Sequence, residues 1–139
     1  MLSAAAAAAL SIGVAALPAA PLKFVAFRTP SGNIGCAYAH FSGEAPYLRC
    51  DIRSGLKPRP RPSRPCDGEY GDSLSMAGTG RAHPICHGDT TFDPAARVVR
   101  YGTSIRLAPF ACTSRVTGLT CTNASGHGWF LSRESYRLF

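Results

Sequence analysis

Six cysteines constrain the fold of this 139-residue chain more than any other feature. An even number of cysteines that pair as disulfides is typical of chains that leave the reducing cytosol. The six are Cys36, Cys50, Cys66, Cys86, Cys112 and Cys121. Many sets of pairs are possible in principle, but the local sequence favours one of them.

Three of the cysteines follow an aliphatic residue by two positions. These pairs are Ile34 with Cys36, Leu48 with Cys50, and Leu119 with Cys121. Positions i and i+2 of a strand share a face, so the sulfurs are predicted to point into the core. Turn-rich segments at 41–46 and 114–118 then make hairpins with one cysteine in each arm. The simplest pairing is therefore sequential, each bond contributing about 2 to 4 kcal/mol: Cys36–Cys50, Cys66–Cys86 and Cys112–Cys121.

A metal site is the alternative for one of these cysteines. His83, Cys86 and His87 place two imidazoles and a thiol close together, within the loose range of zinc-ligand spacing. The chain has no Cys-x-x-Cys pair, however, and Cys86 has an expected sulfur partner. The acidic segment 67–72 also lacks the ladder of a calcium loop. We therefore expect neither a metal nor a cofactor.

The amino-terminal segment is apolar and rich in alanine, and the first charged residue is Lys23. A membrane-spanning helix needs about 20 apolar residues, whereas this run is shorter and ends in small residues and prolines, as export signals do. We predict a signal peptide over 1–20, cleaved after Ala16 or Ala20, and no transmembrane segment after cleavage. The protein is then secreted, periplasmic or attached to the cell envelope. The alternative is an alanine-rich buried or anchoring helix.

Short β-rich segments separated by turns dominate residues 21–139, and no segment keeps a helical period. Pro84 restricts its strand to a sheet edge or a bulge, and any helix is one turn near 93–96 or 132–135. We predict a single disulfide-containing all-β domain, a barrel or a two-sheet sandwich, with little helix outside the signal peptide. The predicted strands are 23–28, 34–39, 47–52, 73–76, 81–86, 97–101, 104–107, 110–113, 118–122, 127–131 and 136–139.

The charge balance of the chain is basic, with 15 Lys and Arg against 8 Asp and Glu. Positive charge is densest in residues 57–65, here called the basic strip, which contains four prolines and no acid. Alternating prolines favour an extended conformation that displays the charges to an anionic polymer or surface. The alternative is a solvated linker; the strip has no aromatic residue to stack on bases, so sequence-specific reading of nucleic acid is not expected. Its cations are Lys57, Arg59, Arg61 and Arg64.

A second candidate site surrounds His127, which stands between two glycines and two residues before Trp129. Glycine neighbours leave an imidazole accessible to a ligand, although they equally suit a tight turn. A small hydrolase could use His127 as its base, with Ser125 and Asp89 completing a triad. The sequence contains no nucleophile elbow, phosphate loop or zinc-protease helix, which favours a protein that is not an enzyme.

Five short motifs stand in order along the chain: SGNIGC at 31–36, LRCDI at 48–52, CHGD at 86–89, GLTCTN at 118–123 and GHGWFLSR at 126–133. Together they resemble a family of small exported bacterial proteins that is known as a domain of unknown function. The resemblance implies a signal peptide, one cysteine-bearing domain and no assigned activity. It therefore supplies no catalytic residue.

The expected function is a non-catalytic binding module for an anionic envelope polymer or for another protein. The binding residues would be the four cations of the basic strip together with His127 and Trp129. A small secreted hydrolase that uses His127 is the alternative.

Overall fold

The computed structural model describes residues 6–15 and 21–139. Residues 6–15 are exposed and have no regular secondary structure. The predicted signal peptide is therefore described only in part, and both candidate cleavage points, after Ala16 and after Ala20, lie outside the described residues. Within the described ranges, no helix is long and apolar enough to cross a membrane.

The described residues fold into eleven β-strands in two sheets, with no helix, which confirms the all-β prediction in its sandwich form. The strands are β1 (Pro21–Arg28), β2 (Ile34–Phe41), β3 (Tyr47–Ile52), β4 (Ser73–Ala77), β5 (His83–Pro84), β6 (Arg97–Val98), β7 (Ser104–Leu107), β8 (Phe110–Arg115), β9 (Gly118–Thr122), β10 (Gly128–Leu131) and β11 (Tyr136–Leu138).

Most neighbouring strands of each sheet are also neighbours in sequence. The six-stranded sheet has the order β5-β4-β3-β2-β1-β6 and the five-stranded sheet the order β11-β10-β9-β8-β7. All pairs are antiparallel except β1 with β6. Because hairpins make most of the connections, most strand pairings follow from local sequence.

The hydrophobic core lies between the two sheets. In β7, β8 and β9 every second residue is buried, as the period of two in a strand requires, whereas β2 is buried on both faces over residues 34–39. Burial of each large side chain contributes about 1.5 to 3 kcal/mol. The largest fully buried apolar side chains are Phe27, Leu48, Ile52, Leu56, Leu74 and Met76 from the first sheet and its loops, with Phe110, Leu119, Trp129 and Leu131 from the second.

Three disulfides join the cysteines in the predicted sequential pairs. Two are buried and link directly opposite residues of adjacent strands, Cys36–Cys50 between β2 and β3 and Cys112–Cys121 between β8 and β9. The third, Cys66–Cys86, is more exposed and lies outside the strands. The zinc alternative for Cys86 is wrong, because a sulfur bonded to another sulfur is not available as a thiolate ligand.

Two predicted strands are much shorter than expected. Segment 81–86 pairs only at His83–Pro84, at the sheet edge to which Pro84 restricts it. Segment 97–101 pairs only at Arg97–Val98, because β1 ends there and the chain then turns. Residues 93–96 form a hydrogen-bonded turn, in which the Ala96 amide donates to the Asp93 carbonyl at 3.0 Å, rather than a helix.

Candidate functional site

The basic strip lies outside both sheets, in the connection between β3 and β4. The side chains of Lys57, Arg59, Arg61 and Arg64 are all exposed. The chain bends at residues 57–58 and 63–64, so the extended conformation expected for the whole strip is interrupted near both ends. The charges are nevertheless displayed on the surface.

The basic strip is fixed to the rest of the protein by contacts at three places: at Lys57, at Arg59 and at Cys66, which follows the strip. The Tyr136 amide donates to the Lys57 carbonyl at 3.2 Å, and the Arg59 guanidinium donates to the Tyr70 carbonyl. The Arg59 side chain also packs over Gly71, where an added Cβ would lie 2.9 Å from Arg59 Cγ and where φ is +95°. Cys66, one residue past the strip, carries the disulfide. A segment held in this way loses little further entropy when it binds a partner.

The cations of the basic strip have no carboxylate partner. All fifteen Lys and Arg residues lie within the described part of the chain, and Arg49 alone among them forms an ion pair. The acids that follow the strip, Asp67 and Glu69, are exposed and unpaired, and Asp72 pairs with His87. The positive charge of the strip is therefore available to an external anion.

A groove runs beside the end of the basic strip. Residues 62–66 form one wall and residues 83–86 of the sheet edge form the other, around a cavity of about 390 Å³. Prolines and Tyr70 give the groove an apolar surface, while Arg64 supplies its positive charge. We call it the strip groove; its mixed character suits an extended chain that carries anionic groups.

Trp129 does not belong to this surface, because its side chain is completely buried. In the register of β9 and β10, Trp129 lies opposite Cys121 and shares its inward face with Leu131. The proximity of Trp129 to His127 in sequence therefore does not translate into a common binding face. The strand register decides which way the indole points.

His127 is partly buried against the end of β11. Its ring Nδ1 lies 3.2 Å from the Phe139 carbonyl, and its backbone amide donates to Asn123 Oδ1 at 3.1 Å. Lys57 contacts the other end of the same strand, at Tyr136. Tyr136 and Phe139 are three positions apart, which is about 10 Å in an extended chain. Among the described residues, no hydrogen bond joins His127 to a cation of the strip.

The three members of the possible triad have different partners. Ser125 Oγ donates to Asn123 Oδ1 at 3.0 Å, and Asp89 accepts from Arg49 at 2.7 Å. Among the described residues, His127 contacts neither Ser125 nor Asp89. A nucleophile and its base need to lie within hydrogen-bond reach of each other, so this arrangement gives the hydrolase hypothesis no support.

A polar cluster that was not expected from the sequence lies on the outer face of the six-stranded sheet. Arg49 donates to both carboxylate oxygens of Asp51, at 2.9 and 3.0 Å, and to Asp89 at 2.7 Å. Asp51 also accepts from Ser73 Oγ at 2.6 Å and from the Thr91 amide at 2.9 Å. The LRCDI motif at 48–52 contains a signal for part of this cluster. Neighbouring residues of a strand point to opposite faces, so Arg49 and Asp51 must both face away from Cys50.

The pKa values in this cluster follow from its contacts. Burial alone would raise the pKa of Asp51, but hydrogen bonds from Arg49, Ser73 and Thr91 outweigh it and the pKa is lowered. Burial would likewise lower the pKa of His87, but Asp72 and the Asp89 carbonyl raise it. Both partners of His87, the Asp72 carboxylate at 2.7 Å and the Asp89 carbonyl at 2.6 Å, are hydrogen-bond acceptors, so the two contacts favour the protonated ring. The cluster ties segment 87–91 to the sheet by internal contacts.

Comparison with known proteins gives one match. A family model described as "Family of unknown function (DUF6636)" matches residues 6–139. No curated protein and no solved structure matches the chain.

Proposed function

We propose that this chain, which belongs to the family of unknown function DUF6636, is a non-catalytic module that binds an anionic polymer through the basic strip. The family has no assigned activity, so the proposal is argued from the surface of the protein. We further propose that residues 1–20 are a signal peptide and that residues 21–139 act as one domain outside the cell or in its envelope. Three disulfides are typical of a protein outside the reducing cytosol and support this location.

The observation that carries the proposal is a set of four exposed cations without ion pairs on a segment held in place by its contacts. A cation that already has a carboxylate partner would have to give up that partner to bind another anion. The cations of the strip have no carboxylate partner to give up. A polymer with repeated negative charges releases counterions when it binds such a row, and this favours association at low salt.

The strip groove supports a polymer rather than a flat anionic surface. Arg64 lines this groove beside Tyr70 and Pro84, so a chain entering it would meet charge and apolar surface together. The edge strand β5 beside the groove offers few free amides, since Pro84 has none. Side-chain contacts rather than strand addition would therefore provide the binding energy.

The test is chromatography on heparin, a sulfated polysaccharide, with elution by salt. We expect the triple variant Lys57→Ser, Arg61→Ser, Arg64→Ser to elute at lower salt than the native protein. The slope of log retention against log salt should also fall, by about one for each lost contact. Arg59 is left unchanged because it holds the strip to Tyr70.

The matched control removes the same charge from exposed arginines elsewhere, in the triple variant Arg97→Ser, Arg100→Ser, Arg106→Ser. This variant should retain heparin binding much better than the strip variant. Equal losses in both variants would mean that total charge, and not the strip, determines retention. An unchanged elution salt in the strip variant would identify the strip as a solvated linker.

A further inference from the structure

Loops of both sheets meet at one end of the sandwich and enclose a second cavity, of about 170 Å³, which we call the end pocket. The β1–β2 loop comes from the six-stranded sheet, and the β8–β9 and β10–β11 turns come from the five-stranded sheet. The residues on which the argument rests are Ser31, Tyr101, Arg115, Thr117, Arg133 and Glu134.

Two arginines line the end pocket, Arg115 at the end of β8 and Arg133 in the turn between β10 and β11. Arg115 ends β8 and pairs with Gly118 at the start of β9, and Leu119 pairs with Leu131 of β10, two residues before Arg133. Arg115 and Arg133 are thus separated by one intervening strand, about 10 Å. Neither forms an ion pair in the described structure. Both guanidiniums can therefore turn toward one carboxylate placed between them.

The other polar groups of the end pocket suit a sugar. Glu134 is exposed and offers a carboxylate to accept hydrogen bonds from ligand hydroxyls, while Ser31 and Thr117 offer hydroxyls of their own. Tyr101 is 41% exposed, and its ring offers an apolar face. Glu134 also offsets one of the two positive charges, which favours a singly charged carboxylate over a doubly charged phosphate.

The loop that forms one wall of the end pocket is fixed by its own contacts. Asn33 Nδ2 donates to Ser54 Oγ at 3.1 Å, and the Ser54 amide donates back to Asn33 Oδ1 at 3.1 Å. Arg53 Nε donates to the Gly32 carbonyl at 3.1 Å and its guanidinium lies 3.9 Å from the centre of the Phe92 ring. A wall held in this way need not reorganise to receive a ligand, which lowers the cost of binding.

We infer that the end pocket binds a single sugar ring that carries a carboxylate group, such as a uronic acid. Pockets for drug-sized ligands have volumes of about 300 to 1,000 Å³, so the smaller end pocket accommodates one ring rather than an oligosaccharide. The inference does not depend on the proposed function of the basic strip, since the strip's cations do not line the end pocket.

The test is a titration of the disulfide-bonded, isotope-labelled protein with glucuronate, followed by the amide signals in NMR spectra. Signals of the loops at 31–34, 115–118 and 132–134 should shift. Glucose, which lacks the carboxylate, acetate, which lacks the ring, and inorganic phosphate should each bind at least tenfold more weakly.

Variants then assign the binding to the two arginines. Arg115→Gln and Arg133→Gln should each weaken glucuronate binding at least fivefold, and Arg106→Gln, an exposed arginine on β7, should leave it unchanged. Any of three results would overturn the inference: no signal shifts with glucuronate, an equal loss of glucuronate affinity in all three variants, or an affinity for phosphate as high as that for glucuronate. The strip variant should bind glucuronate normally. If it also bound heparin normally, the proposed function would fail while this inference stood.

Discussion

At the scale of single residues, the strand register decides what a side chain can do. Both glycines beside His127 have structural reasons: an added Cβ at Gly128 would lie 1.9 Å from the Cys121 carbonyl oxygen, and Gly126 has a φ of +80° in the turn. The sequence around His127 is compatible with either a ligand site or a tight turn. The observed geometry accounts for the glycines through packing and the turn.

Trp129 provides a prediction at this scale. Its indole N–H is buried and has no hydrogen-bond partner in the described structure, and a buried unpaired donor costs about 1 to 3 kcal/mol. Trp129→Phe removes that cost while keeping most of the ring, so it should lower the free energy of unfolding by less than about 2 kcal/mol. Trp129→Ala should lower it by about 3 to 5 kcal/mol. Urea unfolding with the disulfides intact measures both. A loss in Trp129→Phe as large as that in Trp129→Ala would contradict this expectation.

At the scale of elements, local alternation predicted most strands but not the long-range pairings. The bounds of β3, β7 and β9 coincide with the prediction, because hairpin partners lie close in sequence. β6 pairs in parallel with β1, about 70 residues away in sequence, and no local pattern announces such a pairing. Charge and proline content identified the exposed strip, but the contacts that fix it come from residues outside it: Tyr70 follows the strip by five positions, and Tyr136 lies in β11.

Segment 87–91 gives a prediction on pH. The pKa of His87 is raised in the folded protein, so its contribution to stability is complete below about pH 6.5, the value for an unperturbed histidine, and is lost as the pH rises through the raised pKa. We expect the free energy of unfolding to fall as the pH rises above about 6.5, and urea unfolding at a series of pH values measures it.

The control for this prediction is Asp72→Asn, which removes the carboxylate that raises the pKa of His87. This variant should show a smaller fall over the same range. The lowered pKa values of Asp51 and Asp89 do not interfere, since their contributions change only below about pH 4. The idea is refuted if the native protein and the variant show the same pH dependence.

At the scale of the whole molecule, the candidate end pocket could not be predicted from the sequence. Ser31, Tyr101, Arg115 and Arg133 are spread over more than 100 residues, and only the two-sheet packing brings their loops to one end. Arg53 and Arg133 line a further cavity together, at the start of the connection that leads to Lys57. Arg53 and Arg133, which form no ion pair in the described structure, therefore lie between the end pocket and the connection that leads to the basic strip.

This charge distribution predicts how the whole molecule responds to salt. With a formal net charge of +7 and one ion-paired arginine, repulsion between cations exceeds the attraction from ion pairs. Raising sodium chloride from about 20 to 200 mM shortens the range of this repulsion and should raise the free energy of unfolding. Thermal unfolding at several salt concentrations checks this expectation. A steady loss of stability with added salt would contradict it.

The three disulfides have a consequence for how the chain matures. Each disulfide joins two cysteines that are consecutive among the six, so no disulfide encloses a cysteine of another pair. An oxidant that joins the cysteines in the order in which they emerge during synthesis or transport reaches the native set directly. We therefore expect the chain to need a donor of disulfides but no isomerase to correct them.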